Sequence, residues 1–165
     1  TDGSGAAHIM VEAGALKHPL LPPKEPHSPE RAEELYRKSR LHLNGTEVFN
    51  FTLKNVPPLV KGILETANTT IDDVDYVLFH QANVFMLNHL RKKSGLPEDK
   101  VPIAMETYGN TSSASIPLAI CDHLNRIRPQ PDMSFLLCGF GVGWSWATAV
   151  WQTEAPTVHD IIRVA

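Results

Sequence analysis

Val74-Asp75-Tyr76-Val77-Leu78-Phe79 is an apolar run of strand length, and it delivers His80-Gln81-Ala82-Asn83 at its C-terminal end. Near-continuous apolar strands belong to sheets covered on both faces. Downstream of it, helical and strand patterns alternate. A helix is expected over about residues 84–94, stopping at Gly95 with Pro97 just beyond. Val101-Pro102-Ile103-Ala104-Met105 is expected as a short strand ending in Tyr108-Gly109-Asn110. Thr111 or Ser112 should cap the next helix, whose apolar face carries Ile116, Leu118, Ala119, Ile120 and Leu124. Met133 to Cys138 and Trp144 to Trp151 are expected as two strands around Gly139-Phe140-Gly141-Val142-Gly143. Strands alternating with helices specify an α/β layer structure with a helix-covered sheet.

Upstream the signals are more mixed. Ala6 to Ala13, apolar and bounded by glycines, suits a strand. Residues 14–30 hold five prolines and several charges and read as an irregular surface excursion. Ser28-Pro29-Glu30-Arg31 opens a helix with a cap, a Pro at the first position and an acidic first turn. From Glu47 to Ala67 apolar residues recur at helical spacing, and Pro57-Pro58 is expected to kink or split that helix. The opening Thr1-Asp2-Gly3-Ser4-Gly5 has no leader-like pattern and is expected to lie inside a longer polypeptide.

Composition removes whole classes. Fifteen Lys plus Arg against eighteen Asp plus Glu give a net charge of −3, which lacks the basic field of a nucleic-acid binder. At 42 % hydrophobic and 20 % charged, the 165 residues are those of one globular domain. No apolar run is long enough to span a membrane. Cys121 and Cys138 cannot build a disulfide framework, which fits a reducing, cytoplasmic setting. Eight histidines show no metal-ligand spacing, and no metal is expected.

Two polar signals fall at the C-terminal ends of successive expected strands, where open α/β sheets place ligand sites. They are His80 and Asn110. A neutral imidazole and a carboxamide are both hydrogen-bond donors without full charge. Converging on one carbonyl oxygen, they would stabilise an enolate, and losing one such donor costs about 3–4 kcal/mol of barrier. Glycines at 139–143 would let backbone N–H groups approach a second anion. Each signal also has a plainer reading: a structural histidine, an Asn-Gly turn, a hairpin without a dinucleotide-binding helix. Cys121 in a helix and Cys138 in an apolar strand read as core thiols, so no nucleophile is apparent.

His80-Gln81-Ala82-Asn83, Gly109-Asn110-Thr111-Ser112-Ser113-Ala114-Ser115 and Gly139-Phe140-Gly141-Val142-Gly143, in this order, resemble the C-terminal half of β-ketoacyl-ACP synthase III, a thiolase-fold condensing enzyme. Asp2-Gly3-Ser4-Gly5-Ala6-Ala7 is similar to the turn that opens that half, and Gly45-Thr46-Glu47-Val48-Phe49 to the start of its long helix. The resemblance covers essentially residues 1–165. It implies one βαβαβαββ half with a mixed sheet covered by helices, the other half carrying a nucleophilic Cys. It further implies a decarboxylative Claisen condensation of an acyl thioester with malonyl-ACP. His80 and Asn110 would stabilise the enolate, and the backbone of Val142 and Gly143 the acyl oxyanion. Phe49, Asn83 and Phe140 would line the substrate path. Lys92 and Lys93 would face the acyl carrier protein. CoA and ACP phosphopantetheine thioesters would be substrates, with no cofactor, and the assembly would be a homodimer with neither nucleic acid nor membrane span.

Three positions depart from the pattern. Phe85 stands where an Arg is common, Asn50 where a Lys often follows the tunnel Phe, and Gly141-Val142-Gly143 replaces a triple glycine. The departures imply a specialised member with an altered donor or carrier. Two other readings compete: a non-catalytic thiolase-fold partner subunit, and an α/β domain that binds a small metabolite.

Overall fold

The computed structural model describes residues 1–14, 28–127 and 129–162. Most of the expected excursion over 14–30 therefore lies outside the described residues. The chain forms two compact units, one of Thr1–Asn50 with Gly141–Ser145, the other of Phe51–Phe140 with Trp146–Ala165.

In the first unit the expected strand over Ala6 to Ala13 is largely replaced. A 3-10 helix runs over Gly3–His8, started by the Asp2 side chain accepting from the Ser4 N–H, and only Ile9–Met10 is extended as β1. Asp2 exchanges two backbone hydrogen bonds with Trp144, and the His8 ring stacks on the Trp144 indole at 5.4 Å. A Cβ on Gly5 would collide with that indole. The turn is thus shaped around Trp144, a constraint invisible to local strand propensity. Helix α1, Pro29–Lys38, starts as its sequence indicates, with Ser28 capping the Arg31 N–H and Pro29 in the first turn. β2, His42–Leu43, pairs antiparallel with β1. Asn44 then caps helix α2, Gly45–Thr66, its side chain accepting from the Glu47 N–H.

The expected split at Pro57-Pro58 does not occur, and α2 continues through both prolines. Pro57 removes the N–H that would serve the Leu53 carbonyl four residues back. The Lys93 ammonium donates to that carbonyl instead, at 2.7 Å. Val56 and Val60, both buried, hold the same stretch to the core.

In the second unit β3, Tyr76–Phe79, lies parallel to β4, Asp132–Gly141, and β5, Ser145–Glu154, completes a sheet of order β3-β4-β5. Helix α3, Val84–Lys93, ends as expected, with Ser94 as cap, Gly95 at φ +67° and the Leu96 N–H bonded back to Arg91. The expected strand over 101–105 is absent. That segment is irregular and leads into a single turn of helix, α4, Met105–Tyr108. Pro102 has no N–H to give a ladder. The backbone is held by other partners, the Lys100 carbonyl by the Val77 N–H and the Ala104 N–H by the Gln81 side chain. A short 3-10 turn, Ser112–Ala114, precedes helix α5, Ser115–Arg126, and neither carries the expected Thr111 or Ser112 side-chain cap. β4 also runs further than expected, taking Gly139 to Gly141 into the strand. Leu78, Ala104, Ala119, Leu124, Met133 and Phe135 form the core between α5 and the sheet. No helix among the described residues is long and apolar enough to cross a membrane.

Candidate active site

β3 and β4 pair residue for residue up to Phe79 and Cys138, and the His80 N–H extends the ladder by donating to the Cys138 carbonyl at 2.8 Å. His80 is therefore fixed one residue beyond the strand end, half-buried. Gln81, 2 % exposed, turns inward. Its amide nitrogen donates to the Phe79 carbonyl and its oxygen accepts from the Ala104 N–H. Both ends of a buried amide are thereby satisfied, and the chain leading toward Asn110 is tied to β3.

The His80 ring is held on two sides. Nδ1 lies 2.7 Å from Ser115 Oγ, and Phe140 packs edge-on at 5.5 Å with an interplanar angle of 80°. Burial lowers the imidazole from its ordinary value of 6.5, and a backbone hydrogen bond with Ser112 opposes that shift. The ring is accordingly neutral at neutral pH.

Asn110 sits in a different kind of turn. Gly109 and Ser112 both take left-handed backbone, φ 67° and 55°. The second is uncommon for a residue with a Cβ. In this turn the Ser112 N–H donates to Asn110 Oδ1 at 3.0 Å. The amide oxygen is committed, and the exposed carboxamide keeps its nitrogen as a donor. Ser112 thus contacts both candidate catalytic side chains, bonding the oxygen of Asn110 through its N–H and the ring of His80 through its backbone.

The other expected site residues are distributed unevenly. Phe140 is with His80. Asn83 is the N-cap of α3, its oxygen accepting from the Met86 N–H at 2.7 Å. Lys92 is exposed on the last turn of α3, while Lys93 is engaged by the Leu53 carbonyl. Phe49, half-buried near the start of α2, and Val142, 62 % exposed, belong with Gly143 to the first unit. Cys138 is buried within β4 and its thiol is pushed up to about 12, as expected for a core thiol. Sequence alone gives Ser115 no role, although it closes the Gly109–Ser115 segment. Its only signal is a serine in a helix's first turn, which local capping explains equally well.

A parallel strand pair whose ends carry a neutral imidazole and a carboxamide, in this arrangement of strands and helices, is the thiolase-like fold of condensing enzymes. Residues 64–153 match the family model described as 3-oxoacyl-[acyl-carrier-protein (ACP)] synthase III C terminal. The chain belongs to that family. It is 33 % identical to a β-ketoacyl-[acyl-carrier-protein] synthase III of Lactococcus lactis, over 90 % of this chain and 51 % of the relative. A crystal structure of a 3-oxoacyl-(acyl-carrier protein) synthase from Burkholderia xenovorans LB400 matches with TM-score 0.79 and 40 % identity, over 95 % of this chain and 43 % of that one. The priming β-ketosynthase of the R1128 polyketide pathway matches with TM-score 0.71 and 29 % identity, over 94 % and 43 % respectively. The chain spans about half the length of the curated relatives it matches.

Proposed function

We propose that this chain is the C-terminal catalytic half of a 3-oxoacyl-ACP synthase III-type acyltransferase, acting with a half that carries a nucleophilic Cys. The acyl group rides on that Cys as a thioester. Malonyl-ACP loses CO2, and the electron pair of the broken C–C bond becomes an enolate on the thioester oxygen. His80 and Asn110 donate to that oxygen. The enolate carbon then attacks the acyl carbonyl, forms the new C–C bond and expels the Cys thiolate. Neutral donors suit this step, because an imidazolium would transfer its proton to the enolate and quench the carbanion. The observation that carries the reading is the shared Ser112 anchor, which commits the oxygen of Asn110 and touches the ring of His80.

Val142 and Gly143 would stabilise the tetrahedral oxyanion through backbone N–H groups. Phe49, Asn83 and Phe140 would line the thioester path, and Lys92 and Lys93 would face an acidic carrier. Thiolase-type halves bury a broad apolar face in pairing, so this chain alone should be inactive and prone to self-association. The setting would be cytoplasmic and the complete enzyme a homodimer.

The test is to co-express the chain with a Cys-bearing companion half and assay condensation of acyl-CoA with malonyl-ACP. His80→Ala and Asn110→Ala should each lower kcat by roughly a hundredfold or more. Full activity in both variants removes their assigned roles. A complex that assembles but never condenses points instead to a non-catalytic partner subunit.

A further inference from the structure

We propose that Ser115 is a positioning residue that fixes the tautomer of His80, keeping the ring proton on Nε2. The inference rests on the reading of His80 as an enolate-stabilising donor. Ser115 is 2 % exposed at the start of α5, thirty-five residues from His80 in sequence, and its Oγ lies 2.7 Å from Nδ1. The same oxygen accepts the Gln81 backbone N–H at 3.3 Å. A hydroxyl has one proton and two lone pairs. The Gln81 N–H can only donate, so it occupies a lone pair and leaves the hydroxyl proton to point elsewhere. Among the described residues, Nδ1 of His80 is the acceptor that Oγ reaches.

A neutral imidazole carries a single N–H. With Nδ1 accepting from Ser115, that proton sits on Nε2, which makes the far nitrogen of the ring the donor. Phe140, edge-on to the ring, prevents the flip that would exchange the two nitrogens. The arrangement follows a general rule for imidazoles: the hydrogen bond at one nitrogen decides what the other can do. A ring with its proton on Nδ1 would present a lone pair to the thioester oxygen and repel the enolate. The relay Gln81 N–H to Ser115 to His80 therefore converts a backbone group of the strand end into the protonation pattern of the site.

Long-range 15N–1H correlation spectra of 15N-histidine-labelled protein read the tautomer directly. In the unsubstituted protein His80 should show the Nε2–H pattern, and an Nδ1–H pattern overturns the proposal. Ser115→Ala should shift His80 toward mixed tautomers, and Ser115→Thr, which retains the hydroxyl, should restore the original pattern. With the companion half present, Ser115→Ala should lower kcat by roughly 10- to 100-fold with little change in KM. Should Ser115→Ala fail to fold, the spectrum of the unsubstituted protein still decides. The spectra test Ser115 without any turnover, whereas loss of the enolate reading would appear as full condensation by His80→Ala.

Discussion

The Lys93 ammonium donates at 2.7 Å to the Leu53 carbonyl, the one left without a helical partner by Pro57. A charge-assisted bond across forty residues thus replaces the N–H that proline lacks. Lys93→Met should cost about 1–2 kcal/mol in denaturant unfolding. In a Pro57→Ala background the carbonyl regains a backbone donor, and the same substitution should then cost much less. Equal losses in the two backgrounds would show that the lysine does not compensate the proline.

Gly5 is required by shape. A side chain there meets the Trp144 indole, whereas one on Gly3 meets open space. Gly5→Ala should destabilise by about 1–3 kcal/mol, the range of overpacking, and should change Trp fluorescence. Gly3→Ala is the control and should leave the thermal midpoint nearly unmoved. If both substitutions behave alike, the indole is not the constraint.

Gln81 joins the strand end to the segment leading to Asn110. Gln81→Leu strands the Phe79 carbonyl and the Ala104 N–H, each at about 1–3 kcal/mol. Gln81→Glu keeps the acceptor for Ala104 and should lose less at pH 7. Equilibrium unfolding of both variants measures the difference, and the reverse order would contradict the pairing.

Burial lowers the imidazoles of His80 and His123 below their ordinary 6.5. The unfolded chain takes up protons at 6.5 while the folded chain resists. Stability from these two groups is therefore complete above 6.5 and is lost as pH falls through and below it. Unfolding free energies measured between pH 7.5 and about 5 should slope downward with acid. The combined His80→Gln, His123→Gln variant should flatten that slope, and an undiminished slope would assign it to other groups.

Burial raises the Cys138 thiol to about 12, leaving almost no thiolate near neutrality. Alkylation followed by mass spectrometry should find Cys138 unmodified in the folded protein and modified once denaturant is added. Rapid modification of the native protein would mean that β4 opens readily.

Much of the route to this site is legible along the chain. Ser28-Pro29 and Gly95 announce helix ends because capping depends on residues within one turn. The apolar runs at 74–79 and 133–138 announce buried strands because burial on both faces demands continuous hydrophobicity. The order of His80, Asn110 and the glycines at 139–143 carries the family. The failures share one cause. Residues 6–13 and 101–105 have the propensity of strands, yet Trp144 shapes the first around its indole and Gln81 claims the Ala104 N–H of the second.

Sequence by itself determined which residue types could donate, where helices start and stop, and which segments must be buried, since these depend on neighbours a few positions away. Only the folded chain decided that Lys93 serves Leu53, that Ser112 contacts both His80 and Asn110, and that Ser115 reaches Nδ1. Hydrogen bonds act over about 3 Å, and which distant groups come that close is set by how the strands and helices pack.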